Sequence, residues 1–223
     1  MTVHSDSSAQ LGAPGPVESA PAASSRSQTF RAVREIVETL LLAALIFFLV
    51  RLVVLNFRVD GQSMTPNLDD GQMLLVNRNA YQFVDWQGNK FYPFDPPERG
   101  DIVVFNPPTE SDKPYIKRII GLPGDTIEVV GDTILINGEE LPQPFVHNLN
   151  PEGTYFGPVI VPENSLFVMG DNRPRSSDSR AIGAIDEDLV VGKAWLRVWP
   201  LSEFGLVEHF ELLPGASAES GNQ

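Results

Sequence analysis

The sequence contains no cysteine and only three histidines. The absence of cysteine excludes thiol nucleophiles, disulfide bonds and thiolate metal sites, but it leaves the redox compartment open. There is no HExxH motif, and His, Asp and Glu form no close cluster with the spacing of metal ligands. The sequence therefore predicts a protein with no metal ion and no other cofactor.

Positive charge is also scarce, because 16 Lys and Arg residues stand against 29 Asp and Glu residues, for a net charge of −13. A nucleic-acid partner needs a dense basic surface, so we expect none. Internal repeats and a Gly-rich phosphate loop are absent as well. The 223 residues, 42% of them hydrophobic, suffice for one domain with a buried core and two tails.

One long apolar run lies near the amino terminus. Residues 1–29 are rich in Ser, Ala, Pro and Gly and are predicted to be a disordered tail. Residues 30–57 are predicted to be a transmembrane anchor, since Ile36 to Phe57 would form a helix of about 33 Å against a hydrocarbon core of about 30 Å. Glu38 and Arg51 interrupt the run, which leaves a buried core helix or a cleaved signal peptide as alternatives. No small-x-small site follows the run, and this favours the uncleaved anchor.

The charges that flank the run predict its orientation. Arg26, Arg31 and Arg34 precede it and Arg58 follows it, which favours a cytoplasmic amino terminus. We therefore predict a single-pass membrane protein whose remaining residues lie on the extracytoplasmic side. The membrane would be the plasma membrane, or the thylakoid membrane if the cell has one.

After Phe57 the sequence changes to short β-like runs separated by Gly, Pro, Asn and Asp. These runs cover residues 73–77, 101–106, 115–121, 125–141, 166–172 and 189–199. The Asn137-Gly138 pair predicts a hairpin, because a type I′ turn needs positive φ at both central residues. The pattern predicts a mostly β domain over 58–213, followed by a disordered tail over 214–223.

Candidate nucleophiles lie at the start of this domain, in the stretch GQSMTPNL at 61–68. The hydroxyls of Ser63 and Thr65 are its only side-chain nucleophiles. His4 falls in the predicted tail, and neither His147 nor His209 has an obvious orienting carboxylate in the sequence. A Ser/His/Asp triad stays open nonetheless, because triads assemble in space rather than in sequence order.

Lys117 offers another base. In the predicted strand YIKRIIG, alternation places Lys117 between Tyr115 and Ile119 on one face, while Ile116 and Ile120 face the other way. Burial among such neighbours could lower the Lys pKa by about two to three units, at a cost of about 3 to 4 kcal/mol, and leave a neutral amine that removes a proton from Ser. The alternative is a strand Lys that extends its ammonium into water.

Four blocks, in order, resemble the motifs of the type I signal peptidases: GQSMTPNL, RGDIVVF, YIKRIIGLPGD and GDNRPRSSDSR. The resemblance covers residues 57–199 and implies a signal-peptidase-like β fold preceded by one N-terminal transmembrane helix. It also implies that Ser63 is the nucleophile and that Lys117 is its general base. Asn67 stands where the family often has Thr, and we expect this difference to affect only local turn bonding.

The resemblance further assigns supporting residues. It matches Ser176 to a Ser that hydrogen-bonds the catalytic Lys, although turn capping is an alternative role for a loop Ser. Asp178 and Arg180 are suited to an ion pair that fixes the loop, and Asp171 could pair with Arg118. The competing interpretation is that these four residues are solvated surface charges.

The resemblance also implies that an extended signal peptide adds as a strand beside FRVDG, with shallow pockets for small side chains. Residues that match family positions near those pockets are Phe57, Val59, Gly61, Met64, Leu68, Tyr115 and Ile116. Each of the apolar ones could equally be ordinary core. Some family members carry an oxyanion-donating Ser at the position of Gly61, so here the oxyanion would depend on the backbone N–H of Ser63.

Together these patterns predict a membrane-bound serine endopeptidase that removes signal peptides from exported preproteins after small-x-small sites. Its partners would be preprotein signal peptides and the lipid bilayer. A self-cleaving Ser/Lys repressor-type protease is one alternative, although it should carry a helix-turn-helix domain and no anchor. An anchored β domain that binds extended peptides without cleaving them is the other.

Overall fold

The computed structural model describes residues 25–81, 83–84, 90–91, 96–109, 111 and 113–215. The tails predicted at the two ends therefore fall outside the described residues over 1–24 and 216–223. The chain divides into two compact units, Met1–Phe47 and Phe48–Gln223.

Helix α1, Ser25–Val53, occupies most of the predicted anchor. It begins before residue 30 and stops before residue 57, because Val54–Arg58 form strand β1 instead. This strand pairs along its whole length with strand β2, Met73–Asn77. The pairing provides hydrogen-bond partners for the backbone groups of β1, which would have bonded within the helix if the helix had continued. Within the described residues, no helix has both the length and the apolar character needed to cross a membrane.

The described residues after α1 are mostly β, as the sequence predicts. Each of the six β-like runs found in the sequence overlaps at least one strand. The strands after β2 are β3 Phe83–Val84, β4 Lys90–Phe91, β5 Ile102–Phe105, β6 Tyr115–Gly121, β7 Thr126–Val130, β8 Thr133–Ile136, β9 Glu139–Glu140, β10 Tyr155–Ile160, β11 Ser165–Met169, β12 Ile185–Asp186, β13 Val190–Trp199 and β14 Gly205–Leu206. One further short helix, α2, spans Ser179–Ile182.

The larger sheet carries the site and has the strand order β1-β2-β13-β5-β6-β11-β12, with β14 paired to β13. A second sheet has the order β10-β7-β8-β9. Its β8–β9 turn contains the predicted hairpin pair, since Asn137 has φ 54° and Gly138 has φ 86°. The sequence did not reveal β10, whose residues include Gly157 and Pro158.

Apolar side chains cover both faces of β6. Ile116 packs in one cluster of buried residues with Leu74 and Val104, while Ile119 packs in another with Phe105. The two polar residues between the isoleucines, at positions 117 and 118, are thereby carried into the interior. A strand buried on both faces is what makes a desolvated Lys available at this position.

Candidate active site

The side chains of Ser63 and Lys117 meet at the start of β6. Lys117 Nζ lies 2.8 Å from Ser63 Oγ, within hydrogen-bond distance, and 2.9 Å from the carbonyl oxygen of Ile116. Lys117 is only 4% exposed, which excludes the alternative of an ammonium extended into water. Ser63 is partly exposed, so its hydroxyl can be reached from solvent. The arrangement joins an accessible nucleophile to a buried amine.

Burial lowers the pKa of Lys117 to about 8, against the opposing attraction of the Asp178 and Asp171 carboxylates. A large fraction of this amine is therefore neutral under mildly alkaline conditions, and a neutral amine can accept a proton. Lys117 Nζ also lies 5.3 Å from the centroid of the Tyr115 ring.

Asn172 holds the loop that carries Ser63. Its backbone N–H donates to the carbonyl of Ser63 at 2.9 Å, and its side-chain Nδ2 donates to the carbonyl of Gln62 at 2.9 Å. The loop that carries Ser63 also lies close to Gly170. Only glycine fits there, because an added Cβ would overlap the Ser63 carbonyl and the Ser176 hydroxyl. Asn172 and Gly170 both lie in the GDNR block, but no local pattern in the sequence predicts these contacts.

Arg118, the residue after Lys117 on β6, forms a fully buried ion pair with Asp171. Arg118 Nε and Nη2 donate to the two Asp171 oxygens at 2.9 and 2.8 Å, and neither side chain is exposed. Asn67 joins this pair, since its Nδ2 donates to Asp171 Oδ2 at 2.8 Å and to the Phe145 carbonyl at 2.7 Å. The expectation that Asn67 matters only for local turn bonding is therefore wrong.

Asp178 and Arg180 form the second ion pair. Arg180 Nη2 and Nε donate to the two Asp178 oxygens, each at 2.8 Å, and Asp178 also accepts from the Gly170 N–H at 3.0 Å. Burial alone would raise the pKa of Asp178, but the hydrogen bond and charge of Arg180 outweigh it and lower that pKa. Both pairs are largely buried, so the interpretation as solvated surface charges is wrong.

Ser176 lies close to these groups without joining them. Its Oγ is buried and has no hydrogen-bond partner among the described residues, so the predicted bond to Lys117 is not formed here. Ser176 does contribute to the low pKa of Asp178, which indicates that the hydroxyl lies near that carboxylate. The predicted support of Lys117 by Ser176 thus stays a prediction.

A cavity of about 210 Å³ opens at the Ser63–Lys117 pair. It contains four of the seven predicted substrate-binding residues, namely Phe57, Gly61, Tyr115 and Ile116. The other three, Val59, Met64 and Leu68, are at most 2% exposed and pack in the core with Leu74 and Val76. Their assignment to the substrate pockets is therefore wrong, and they are ordinary core residues. The residue pattern of β1 and the following turn could not distinguish a core side chain from one that lines a pocket.

Two backbone edges border this cavity. Strand β1 pairs only with β2 among the described residues, so its other edge is free. On β6, the pairing with β11 begins at Arg118, which leaves Tyr115, Ile116 and Lys117 without a strand partner on that side. An extended peptide can therefore add to these edges as a further strand.

His209 does have a carboxylate neighbour, contrary to the sequence analysis. Its Nδ1 lies 3.5 Å from Asp101 Oδ1 and accepts from the Ile102 N–H, while its Nε2 contacts the Ala194 carbonyl. His209 and Asp101 border a different cavity, of about 640 Å³, which neither Ser63 nor Lys117 lines. His147 is exposed, and His4 lies outside the described residues.

The chain is similar in sequence to known signal peptidases. The family model described as signal peptidase, peptidase S26, matches residues 33–199. A signal peptidase IB of Staphylococcus aureus is 35% identical over 176 residues, which are 72% of this chain and 85% of the relative. A signal peptidase I of Leptolyngbya laminosa is 36% identical over 155 residues, or 66% of this chain and 70% of the relative. A solved signal peptidase I from Enterococcus faecalis V583 is 34% identical, with a TM-score of 0.40 over 44% of this chain and 97% of that chain.

Proposed function

The chain belongs to the signal peptidase family, peptidase S26, and on that premise we propose that Ser63 and Lys117 are its catalytic nucleophile and general base. As a type I signal peptidase it is a serine peptidase that cleaves signal peptides. The observation that carries the proposal is the 2.8 Å contact between Lys117 Nζ and Ser63 Oγ, made by a buried amine with a pKa lowered to about 8.

In the first step, neutral Lys117 takes the proton of the Ser63 hydroxyl as its oxygen attacks the carbonyl carbon of the scissile bond. The resulting ammonium then donates a proton to the amine of the mature protein, which leaves. In the second step, neutral Lys117 removes a proton from a water molecule as the water oxygen attacks the acyl carbon. The resulting ammonium then returns a proton to Ser63 Oγ as the ester bond breaks, which releases the signal peptide and restores neutral Lys117. The low pKa of Lys117 suits both directions of proton transfer.

The backbone N–H of Ser63 is our proposed donor to the oxyanion. It makes no hydrogen bond to another group among the described residues, so it is available to the reacting carbonyl. Asn172 fixes the peptide groups on both sides of this N–H by bonding the carbonyls of Gln62 and Ser63. The proposal that Ser63 is the nucleophile does not depend on a second hydrogen-bond donor to the oxyanion.

The substrate side of the proposal depends on the cavity and the two free edges. The signal peptide would add as a strand along β1 and along Tyr115 to Lys117 of β6. A cavity of about 210 Å³ lies below the size of typical ligand sites, about 300 Å³ and above, and therefore favours small side chains before the cut. This supports cleavage after small-x-small sites.

We further propose that the chain is anchored to the membrane with its amino terminus in the cytoplasm. In α1, the consecutive residues Leu40, Leu41 and Leu42 are all more than half exposed, so apolar side chains point in several directions from the helix. The β unit also has an exposed apolar segment between residues 195 and 206. Five of its side chains are each 48–72% exposed, namely Trp195, Trp199, Leu201, Phe204 and Leu206. Trp and neighbouring apolar side chains favour the bilayer interface.

The experiment that tests the catalytic proposal uses the full chain in detergent and a preprotein with an Ala-x-Ala site. We expect cleavage after the second Ala, loss of cleavage in Ser63→Ala, and retained cleavage in Ser111→Ala, a control at an exposed serine that does not line the cavity. Cleavage by folded Ser63→Ala at the wild-type rate would contradict the assignment.

Orientation is tested separately, by adding a protease to intact cells stripped of outer layers. We expect the β unit to be digested and the first thirty residues to be protected. Protection of the β unit instead would reverse the proposed topology.

A further inference from the structure

Arg175 places an unneutralised positive charge in the catalytic cavity. It lies in a short 3₁₀ turn, Arg173–Arg175, and lines the same cavity as Ser63. Its guanidinium Nη1 donates to the side-chain oxygen of Gln62, which leaves the charge intact, and it forms no ion pair among the described residues. None of the functions assigned above uses this side chain.

The other charged groups of the cavity leave Arg175 dominant. Asp60 is paired with Lys113 at 2.5 Å, so those two charges largely cancel. Lys117 is neutral in the reactive form of the site. A substrate that reaches Ser63 therefore meets one net positive charge, at Arg175.

The position of Arg175 in the cavity would place it on the side of the scissile bond that belongs to the mature protein. In the proposed binding mode, the residues before the cut would occupy the part of the cavity lined by Phe57 to Gly61 and by the start of β6, where the free strand edges lie. The remaining lining of the cavity consists of Gln62, Arg175 and Ser177. In that binding mode the chain beyond the scissile bond would cross this second group, because the first group would hold the residues before the cut.

We propose that Arg175 is a specificity-determining residue that favours an acidic side chain at the first or second position of the mature protein. This inference rests on the proposed function of the Ser63 site. The hydrogen bond to Gln62 holds the guanidinium beside the path of the leaving chain, where it can pair with a carboxylate and repel a Lys or Arg. The effect acts on the part of the substrate that leaves with the amine, and it is separate from the small-side-chain preference before the cut.

The test compares preproteins that share one Ala-x-Ala site and differ only after it, with Asp, Asn or Lys at the first or the second position. We expect the wild type to have a kcat/KM about two- to five-fold higher for Asp than for Asn at one of these positions, the range of exposed charge pairs. Lys should be disfavoured by a similar factor. Raising the salt concentration to about 1 M should bring the Asp-to-Asn ratio close to one.

Substitution separates Arg175 from the overall charge of the protein. Arg175→Gln should abolish the Asp preference, and Arg175→Glu should reverse it in favour of Lys. Arg78→Glu is the matched control, because Arg78 is exposed and lies outside the cavity. This substitution changes the net charge by the same amount as Arg175→Glu. It should keep the wild-type ratio.

The outcomes also distinguish this inference from the proposed function. Cleavage with equal kcat/KM for Asp, Asn and Lys at both positions would overturn the role of Arg175 and leave the Ser63 assignment intact. An Asp preference that persists in Arg175→Gln, or that Arg78→Glu removes equally, would overturn it as well. Absence of cleavage of every substrate by the wild type would overturn the proposed function itself.

Discussion

The Asn67 side chain donates a hydrogen bond to Asp171 Oδ2 at 2.8 Å, and so joins the loop that carries Ser63 to the buried Arg118–Asp171 pair. Asn67→Ala removes this bond and the bond to the Phe145 carbonyl. We expect it to lower the free energy of unfolding by about 2 to 3 kcal/mol, since one acceptor is a buried carboxylate. It should also reduce kcat, because the loop that carries Ser63 loses a fixed point.

Asn148→Ala is the control for that experiment. Asn148 is exposed, and its Nδ2 reaches the Thr65 carbonyl only at 3.5 Å, so its loss should change the unfolding free energy by less than about 0.5 kcal/mol. Chemical denaturation of both variants in detergent measures the difference. Equal effects of the two substitutions would contradict the positioning role of Asn67.

The buried ion pair and the exposed ion pair of this chain should respond very differently to loss of a carboxylate charge. Asp171→Asn leaves the Arg118 guanidinium buried and unpaired, and we expect a loss of about 3 to 5 kcal/mol in unfolding free energy. Asp60→Asn breaks the exposed pair with Lys113 and should leave the unfolding free energy nearly unchanged, because solvent screens that pair. A small effect of Asp171→Asn would mean that the pair is not needed to hold the fold.

Much of this architecture could be predicted from the sequence, for identifiable reasons. The strand YIKRIIG is apolar on both faces, and its length and β-branched content favour a buried strand, which the structure confirms as β6. The Asn137-Gly138 turn is also confirmed, because few residues adopt positive φ at two adjacent positions.

Other features depend on contacts that no local pattern contains. Val54–Arg58 continue an apolar run and resemble the end of a helix, but pairing with β2 makes them a strand. Val59 and Met64 have the same apolar character as Phe57, yet only Phe57 reaches the cavity. The link from Asn67 to Asp171 joins residues 104 positions apart, so spacing in the sequence could not reveal it.

Lys117 should reduce stability at neutral pH as a consequence of its role. Its pKa is lowered to about 8 in the folded protein from about 10.4 in an unfolded chain, so the unfolded chain binds this proton more tightly. The charged amine therefore destabilises the fold by up to about 3 kcal/mol below pH 8, and this penalty disappears as pH rises from about 8 to about 10.4.

Lys117→Met tests that prediction. We expect the variant to be inactive but more stable than the wild type at pH 7, with a gain that shrinks between pH 8 and pH 10. Thermal unfolding in detergent, followed over this pH range, provides the measurement. A stability difference that stays constant with pH would contradict a lowered Lys117 pKa.

Ser176 allows a distinction between catalysis and structure. Its Oγ is buried without a hydrogen-bond partner, so Ser176→Ala should leave the unfolding free energy unchanged or slightly higher. If the hydroxyl assists Lys117 during the reaction, kcat should fall while some cleavage remains. A clear loss of stability with unchanged kcat would instead support a turn-capping role.

The pH dependence of kcat/KM for preprotein cleavage tests the Ser63–Lys117 mechanism most directly. We expect the wild-type kcat/KM to rise with pH to a plateau, with a midpoint of about pH 8. The same rise should persist in His147→Gln. Lys117→Arg should not cleave at any pH, because a guanidinium cannot accept the proton. Near wild-type cleavage by folded Lys117→Arg, or loss of the rising limb in His147→Gln, would contradict this mechanism.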